Sequence, residues 1–130
     1  MNDLPEGWAK RTLLDHLKRP ATYGVVKAGR FVSGGVPMLR GGDIKDGRVS
    51  LDLPQISQRK DAEYARTRLA RGDVVVALVG YPGESAIVPD KLSGANISRA
   101  VGLLRLSSGI RADYLVQYLN SAIGRAEFLR

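Results

Sequence analysis

The chain has 130 residues, which suits one domain with a single core that needs no metal or disulfide for stability. Cys is absent, so disulfides, Cys-ligated zinc and a thiol nucleophile are excluded. Lys and Arg total 20 against 13 Asp and Glu, and the net charge of +7 favours a polyanionic partner, above all nucleic acid.

The first twenty residues predict an extended entry and then a short helix. Leu13, Leu14 and Leu17 have helical spacing, and Pro20 ends the run. The start has no basic stretch leading into an apolar run, and no window approaches the roughly 18 apolar residues that a membrane helix needs. We therefore expect a soluble protein of the cytoplasm with no membrane partner.

Two β-type runs and a tight turn follow. The runs extend from Tyr23 to Lys27 and from Val36 to Arg40, with Gly-rich sequence between them. The Asp46-Gly47 dipeptide is typical of the turn in a tight β-hairpin. This part of the chain predicts antiparallel β-structure.

A helix is predicted from Gln58 to Ala70, with Ser57 as its N-cap and Arg71-Gly72 at its end. At 3.6 residues per turn, one face would hold the small and apolar residues Ala62, Ala65 and Leu69. The opposite face would carry a basic stripe with one aromatic, namely Lys60, Tyr64, Arg68 and Arg71. This stripe is either a nucleic-acid-binding face or an ordinary solvated helix surface.

The middle of the chain predicts the core of the sheet. Val74 to Val79 is a continuous apolar run between glycines, which is typical of a strand buried on both faces. A loop from Gly80 to Glu84 leads to a strand around Ala86 to Val88, and Ala100 to Leu106 predicts another.

The C-terminal residues predict a helix whose apolar positions recur at steps of four and three residues. This seam either contacts a partner helix or packs, over its first turns, on the domain's own sheet, and Asn120-Ser121 interrupts it. We therefore expect one domain, with residues 1–110 as its body and residues 111–130 as a helix that begins a spacer or dimerisation element. The interface candidates are Leu115, Leu119, Ala122, Ala126 and Leu129.

No catalytic or metal site emerges from the motifs. A nuclease triad of Asp15, Asp43 and Lys45 fits poorly, because the Gly-rich and Asp-Gly contexts of this region are turn chemistry. The methyl-donor loop and target-amine motif of a methyltransferase are missing, and so is a P-loop. The lone His16 has no second His or Cys to share a metal with.

Glycine-punctuated strings in a fixed order carry a more specific signal. In this order and at these distances, they resemble the target recognition domain of type I restriction-modification specificity subunits. The strings are Leu4-Pro5-Glu6-Gly7-Trp8, Pro37-Met38-Leu39-Arg40, Gly42-Asp43-Ile44, Gly72-Asp73-Val74, Gly80-Tyr81-Pro82-Gly83 and Ala95-Asn96-Ile97-Ser98.

The resemblance implies an α/β (α+β) fold with a strongly twisted, mixed or antiparallel sheet and a few short helices. It implies a DNA reader without catalysis, whose loops enter the major groove and recognise one half of a bipartite site. Methyltransferase (modification) subunits using S-adenosylmethionine, and a restriction/translocase subunit using ATP and Mg, would be its partners. It would also need a second recognition domain or a homodimer, since the chain is either an excerpt or a half-length subunit. The alternative is an assembly domain of such a complex without DNA affinity of its own.

The resemblance also implies which segments face DNA, while the base-reading positions vary within the family. Arg suits guanine, and other basic residues position the duplex on its phosphates. The base-contact candidates are Tyr23, Arg40, Arg59, Tyr64, Arg68 and Tyr81. The phosphate-contact candidates are Lys27, Lys60 and Arg71. Asn96 and Ser98 are expected to satisfy backbone groups instead.

Overall fold

The structure is a computed structural model that describes residues 22–80, 82–107 and 111–121. The predicted entry segment and the helix around Leu13 to Leu17 lie outside these residues. The strands are β1 (Thr22–Tyr23), β2 (Val36–Leu39), β3 (Ile44–Lys45), β4 (Arg48–Val49), β5 (Gln55–Ile56), β6 (Val74–Ala77), β7 (Ser85–Ile87), β8 (Asn96–Ile97) and β9 (Val101–Leu104). The helices are α1 (Gln58–Glu63) and α2 (Ala112–Leu119), with 3₁₀ turns at Gly41–Asp43, Ala65–Thr67 and Asp90–Leu92.

The main sheet has four antiparallel strands in the order β1-β9-β6-β7. All four residues of β6 are buried, so the prediction of a central strand buried on both faces is confirmed. The strand ends at Ala77, two residues earlier than predicted. Leu78 donates its backbone N–H to the Ala100 carbonyl oxygen at 2.7 Å, but the side chains of Leu78 and Val79 are exposed.

A second sheet has the order β5-β2-β8, in which β2 pairs antiparallel with β5 and parallel with β8. Strands β3 and β4 form the predicted hairpin, and its turn residues Asp46 and Gly47 have φ of 54° and 75°. Positive φ at both positions defines a turn that matches strand twist, which is why Asp-Gly is found there. Mixed sheets with short helices confirm the predicted α+β fold class.

Helix α2 packs on the domain's own main sheet. Leu115 and Leu119 are each about 4% exposed and lie in one apolar cluster with Val74, Val76 and Leu104. These two interface candidates are therefore core residues and are not available to a partner helix. Ala122, Ala126 and Leu129 lie outside the described residues.

The helix predicted from Gln58 to Ala70 is shorter than expected. Its N-cap is confirmed, because Ser57 Oγ accepts the backbone N–H of Lys60 at 3.0 Å. The helix ends at Glu63, and Tyr64 has non-helical backbone angles of −122° and 39°. The predicted faces are wrong, since Asp61 is buried while both alanines of the expected packed face, Ala62 and Ala65, are exposed.

None of the helices in residues 22–80, 82–107 and 111–121 is long and apolar enough to cross a membrane.

Candidate nucleic-acid interface

Three segments from distant parts of the chain run parallel to one another. Val25 forms a parallel bridge with Ser98 and donates its backbone N–H to the Ile97 carbonyl oxygen at 2.8 Å. On the other side, Ser98 donates its backbone N–H to the Leu39 carbonyl oxygen at 2.9 Å, which extends the β2–β8 pairing. Because the segments are parallel, the residues that follow them emerge at the same edge.

Each segment is followed by a basic residue at this edge. Arg40 comes directly after β2, Arg99 directly after Ser98, and Lys27 two residues after Val25. All three are exposed, and the backbone N–H of Arg99 donates to the Val25 carbonyl oxygen at 3.0 Å. With neighbouring segments roughly 4.8 Å apart, the three backbones span roughly 10 Å. The edge therefore presents a row of positive charge.

The β6–β7 loop borders this row. A Cβ on Gly41 would collide with the Val79 carbonyl oxygen, so only glycine lets the two loops approach so closely. Leu78 is 39% and Val79 64% exposed, and they add an apolar surface beside the cations. We call Lys27, Arg40, Arg99, Leu78 and Val79 the loop edge. Tyr81, predicted to contact a base, belongs to the same loop but lies outside the described residues.

Arg40 is held by Asp43 across the 3₁₀ turn. Asp43 Oδ2 accepts from Arg40 Nε at 2.9 Å, and Oδ1 accepts from Nη2 at 3.2 Å. Oδ2 also accepts the Arg40 backbone N–H at 2.9 Å. These hydrogen bonds to a carboxylate raise the pKa of Arg40, with Asp52 adding a weaker attraction. The side chain of Arg40 is nevertheless 49% exposed, so its charge is both oriented and accessible.

Arg68, a predicted base-contact residue, forms an ion pair within the fold. It lies after the second 3₁₀ turn, and it binds the buried Asp61 through Nε at 2.9 Å and Nη2 at 2.7 Å. Asp61 Oδ1 also accepts from Asn96 Nδ2 at 2.9 Å, and Asn96 Oδ1 accepts from Thr67 Oγ1 at 2.6 Å. This network ties the 3₁₀ turn to β8. Arg68 therefore has a role in the fold, as Asn96 was predicted to have. Its side chain is 43% exposed, and its base contact stays a prediction.

Tyr23 and Tyr64 line one groove of about 300 Å³ between the edge strand β1 and the first turns after α1. Tyr23 is 63% exposed. Tyr64 accepts the backbone N–H of Val26 at 3.4 Å through its hydroxyl, which connects the groove with the loop edge. Glu63 and Arg66 also line it. The structure thus brings two predicted base-contact residues, Tyr23 and Tyr64, together. Arg66, which helical spacing did not place on the predicted basic face, lines the same groove.

The remaining predicted cations lie away from the loop edge. Lys60 pairs with Glu63 at 3.5 Å, and Arg59 is exposed on α1. Arg71 lines a second groove of about 300 Å³ with Arg105, at the start of β6. Arg71 precedes β6, whereas Val79 follows the other end of that strand. The length of the four-residue strand, roughly 13 Å, therefore separates Arg71 from the loop edge.

Asp73 anchors the second groove. It is 4% exposed and accepts from Arg105 through both carboxylate oxygens, at 2.9 Å from Nε and 2.6 Å from Nη2. These hydrogen bonds raise the pKa of Arg105. The guanidinium also donates to the Arg68 carbonyl oxygen at 3.0 Å. The guanidinium of Arg105 therefore binds groups within the domain.

No family model matches the chain. Over 102 residues, however, it is 37% identical to the specificity subunit of the Escherichia coli type I restriction enzyme EcoBI. The chain is related to the type I restriction specificity subunits. This confirms the family that the glycine-punctuated strings predicted. The match covers 75% of this chain and 21% of the relative, so the chain spans about a fifth of that specificity subunit's length.

Two solved structures share the fold of this chain. The HsdS subunit from Thermoanaerobacter tengcongensis matches with a TM-score of 0.58 and 18% identity, over 89% of this chain and 27% of that one. A chain from a structural study of the assembly and conformational transition of the type I restriction-modification system matches with a TM-score of 0.64 and 18% identity. That match covers 88% of this chain and 27% of the other.

The structure of this chain gives the nuclease alternative no support. Within the part of the chain that the structure describes, no group of three or more His, Cys, Asp or Glu could hold a metal ion. Asp43, the central carboxylate of the hypothetical triad, is bonded to Arg40, and Asp15 lies outside the described residues.

Proposed function

We propose that this chain binds double-stranded DNA sequence-specifically, as a non-catalytic recognition module of a type I restriction-modification system. The observation that carries the proposal is the loop edge, where three parallel segments end in Arg40, Arg99 and Lys27. The sequence similarity of the chain to the E. coli specificity subunit supports the same role.

The dimensions and chemistry of the loop edge suit a major groove. The groove is about 12 Å wide and admits protein loops whose side chains reach base edges. The row of cations spans roughly 10 Å, so it fits within the width of the groove, where its charges lie close to the base edges and to the flanking phosphates. Leu78 and Val79 offer apolar contact for thymine methyl groups.

The predicted DNA contacts divide according to position. Lys27 and Arg99 position the duplex on its phosphates, and Arg40 reaches a base. Tyr23 and Tyr64 contact the DNA from the adjoining groove, and Tyr81 remains a base-contact candidate of the β6–β7 loop. Farther from this edge, Lys60 and Arg71 are weaker phosphate candidates, and Arg59 is a weaker base-contact candidate.

The reaction itself belongs to other subunits. We propose that modification subunits methylate adenine with S-adenosylmethionine, and that a restriction/translocase subunit uses ATP and Mg. A second recognition module, in another domain or another copy, reads the other half of the DNA site. Genomic DNA as the ligand implies that the protein works in the cytoplasm.

Selection from a pool of randomised duplexes tests DNA reading directly. We expect the purified chain, at low salt, to enrich a short motif, and the affinity for that motif to fall steeply with salt. The double variant Lys27→Ala/Arg99→Ala should reduce the slope of log K against log salt by about two.

Arg111→Ala is the matched control for that slope. Arg111 is exposed, with its side chain at 82%. It precedes Ala112, which lines the groove at the start of β6, and that is the end of the strand opposite to the loop edge. Its removal should leave the slope unchanged. A chain that enriches no motif and has no salt-dependent affinity would contradict the proposal and favour the assembly-domain alternative.

A further inference from the structure

We propose that Arg40 reads a guanine and that Asp43 is the positioning residue that aims its guanidinium. The inference rests on the proposed function, because it names one base contact within the loop edge.

The first support is the geometry of the ion pair. Three donors of Arg40, namely its backbone N–H, Nε and Nη2, converge on one carboxylate at 2.9, 2.9 and 3.2 Å. The carboxylate is itself fixed, since the side chain of Asp43 is only 10% exposed. Arg40 has lost much of its rotamer freedom before it meets a ligand, which lowers the entropic cost of a directed contact.

The second support is the edge of the guanidinium that the ion pair occupies. Asp43 takes the edge formed by Nε and Nη2. No described residue has a hydrogen bond to Nη1, so the end formed by Nη1 and Nη2 is available to a second pair of acceptors. Guanine offers such a pair in O6 and N7, and a bidentate Arg contact to them is the commonest specific contact in the major groove.

Capping of the 3₁₀ turn does not account for the ion pair. The cap requires only the hydrogen bond from the backbone N–H of residue 40 to Asp43, and any residue other than proline at position 40 would supply it. The two bonds from the guanidinium add orientation to a side chain that is otherwise half-exposed. A phosphate also accepts bidentate hydrogen bonds from Arg. A phosphate contact does not depend on the N7 acceptor of guanine, however, so removal of N7 separates the two kinds of contact.

The experiment uses duplexes that carry the selected motif, with one guanine at a time replaced by 7-deazaguanine, which lacks the N7 acceptor. We expect one position to reduce the affinity of the wild-type chain about tenfold. Arg40→Ala removes the guanidinium and any contact to N7. Its overall affinity should be lower, but that affinity should be insensitive to the 7-deazaguanine replacement. Asp43→Asn retains an acceptor for the backbone cap and should show the sensitivity reduced to about threefold.

Arg99→Ala serves as the comparison. It should lower the affinity for both duplexes and leave the ratio between them unchanged. If Arg40→Ala keeps the full 7-deazaguanine effect, or if no guanine of the motif responds in the wild type, Arg40 does not read guanine. DNA binding by the loop edge would still stand in either case. If the wild-type chain binds no duplex, or if Arg99→Ala leaves the affinity for every duplex unchanged, both this inference and the proposed function are overturned.

Discussion

Asn120 holds the end of α2 against Ser85 at the start of β7. Its Oδ1 accepts the Ser85 backbone N–H at 2.8 Å and the Ser85 hydroxyl at 3.2 Å, and its Nδ2 donates to the Ser85 carbonyl oxygen at 2.9 Å. The helix ends at Leu119, the residue before this contact. The clamp therefore fixes α2 along the main sheet.

Removal of this clamp should destabilise the domain. Asn120→Ala leaves the buried backbone groups of Ser85 without their partners, and we expect it to lower the free energy of unfolding by about 1–3 kcal/mol. Urea denaturation measures the change. Gln117→Ala, on the exposed face of the same helix, should have little effect, and equal stability of the two variants would contradict the clamp.

Leu115 should behave as a core residue. Leu115→Ala opens a cavity under α2, and we expect a loss of about 2–5 kcal/mol in the free energy of unfolding. Leu51→Ala removes the same side chain from a 54% exposed position and should cost far less. Sedimentation of Leu115→Ala should show the oligomeric state unchanged. A stable Leu115→Ala protein with an altered oligomeric state would instead make Leu115 an interface residue.

Arg68→Ala should affect stability more than DNA affinity. It leaves Asp61 buried without its cation, and we expect a loss of about 1–3 kcal/mol in the free energy of unfolding. Arg59→Ala removes the same charge from an exposed position on α1 and should change stability by less than about 0.5 kcal/mol. Chemical denaturation and a DNA titration of the folded variant make the comparison. Unchanged stability together with weakened DNA binding would return Arg68 to the interface.

The two ends of β6 should differ in their importance for DNA. Arg40→Ala removes a cation of the loop edge, and we expect it to weaken binding to the selected motif about tenfold or more. Arg71→Ala removes a cation at the opposite end and should weaken binding less than about threefold. Fluorescence anisotropy at one fixed salt concentration compares them. The reverse order of effects would shift the interface to the groove lined by Arg71.

Local features of the fold could be predicted from the sequence. The apolar run of β6, the Asp-Gly turn and the Ser57 cap depend on neighbouring residues, and the structure has all three. The length of α1 could not be predicted, because it depends on Asp61 being buried against Asn96, 35 residues away. Helical spacing alone placed Ala62 on the packed face, where the structure has Asp61.

The loop edge could be predicted only in part. Arg40 and Lys27 were identified from the resemblance, but Arg99 was missed although it directly follows the Ala-Asn-Ile-Ser string. Its position beside Arg40 depends on the parallel pairing of β2 with β8, which are far apart in the chain. No local pattern reveals such a pairing, and likewise none reveals that Arg68 binds within the fold.

The measurement that tests the central claim most directly is methylome sequencing of cells that carry the native locus. One strain would have the wild-type chain and another the triple variant Lys27→Ala/Arg40→Ala/Arg99→Ala, with Arg111→Ala as the control. We predict that the triple variant loses or relaxes one half of a bipartite adenine-methylation motif, while Arg111→Ala leaves it intact. An unchanged motif in the triple variant would contradict DNA reading by the loop edge.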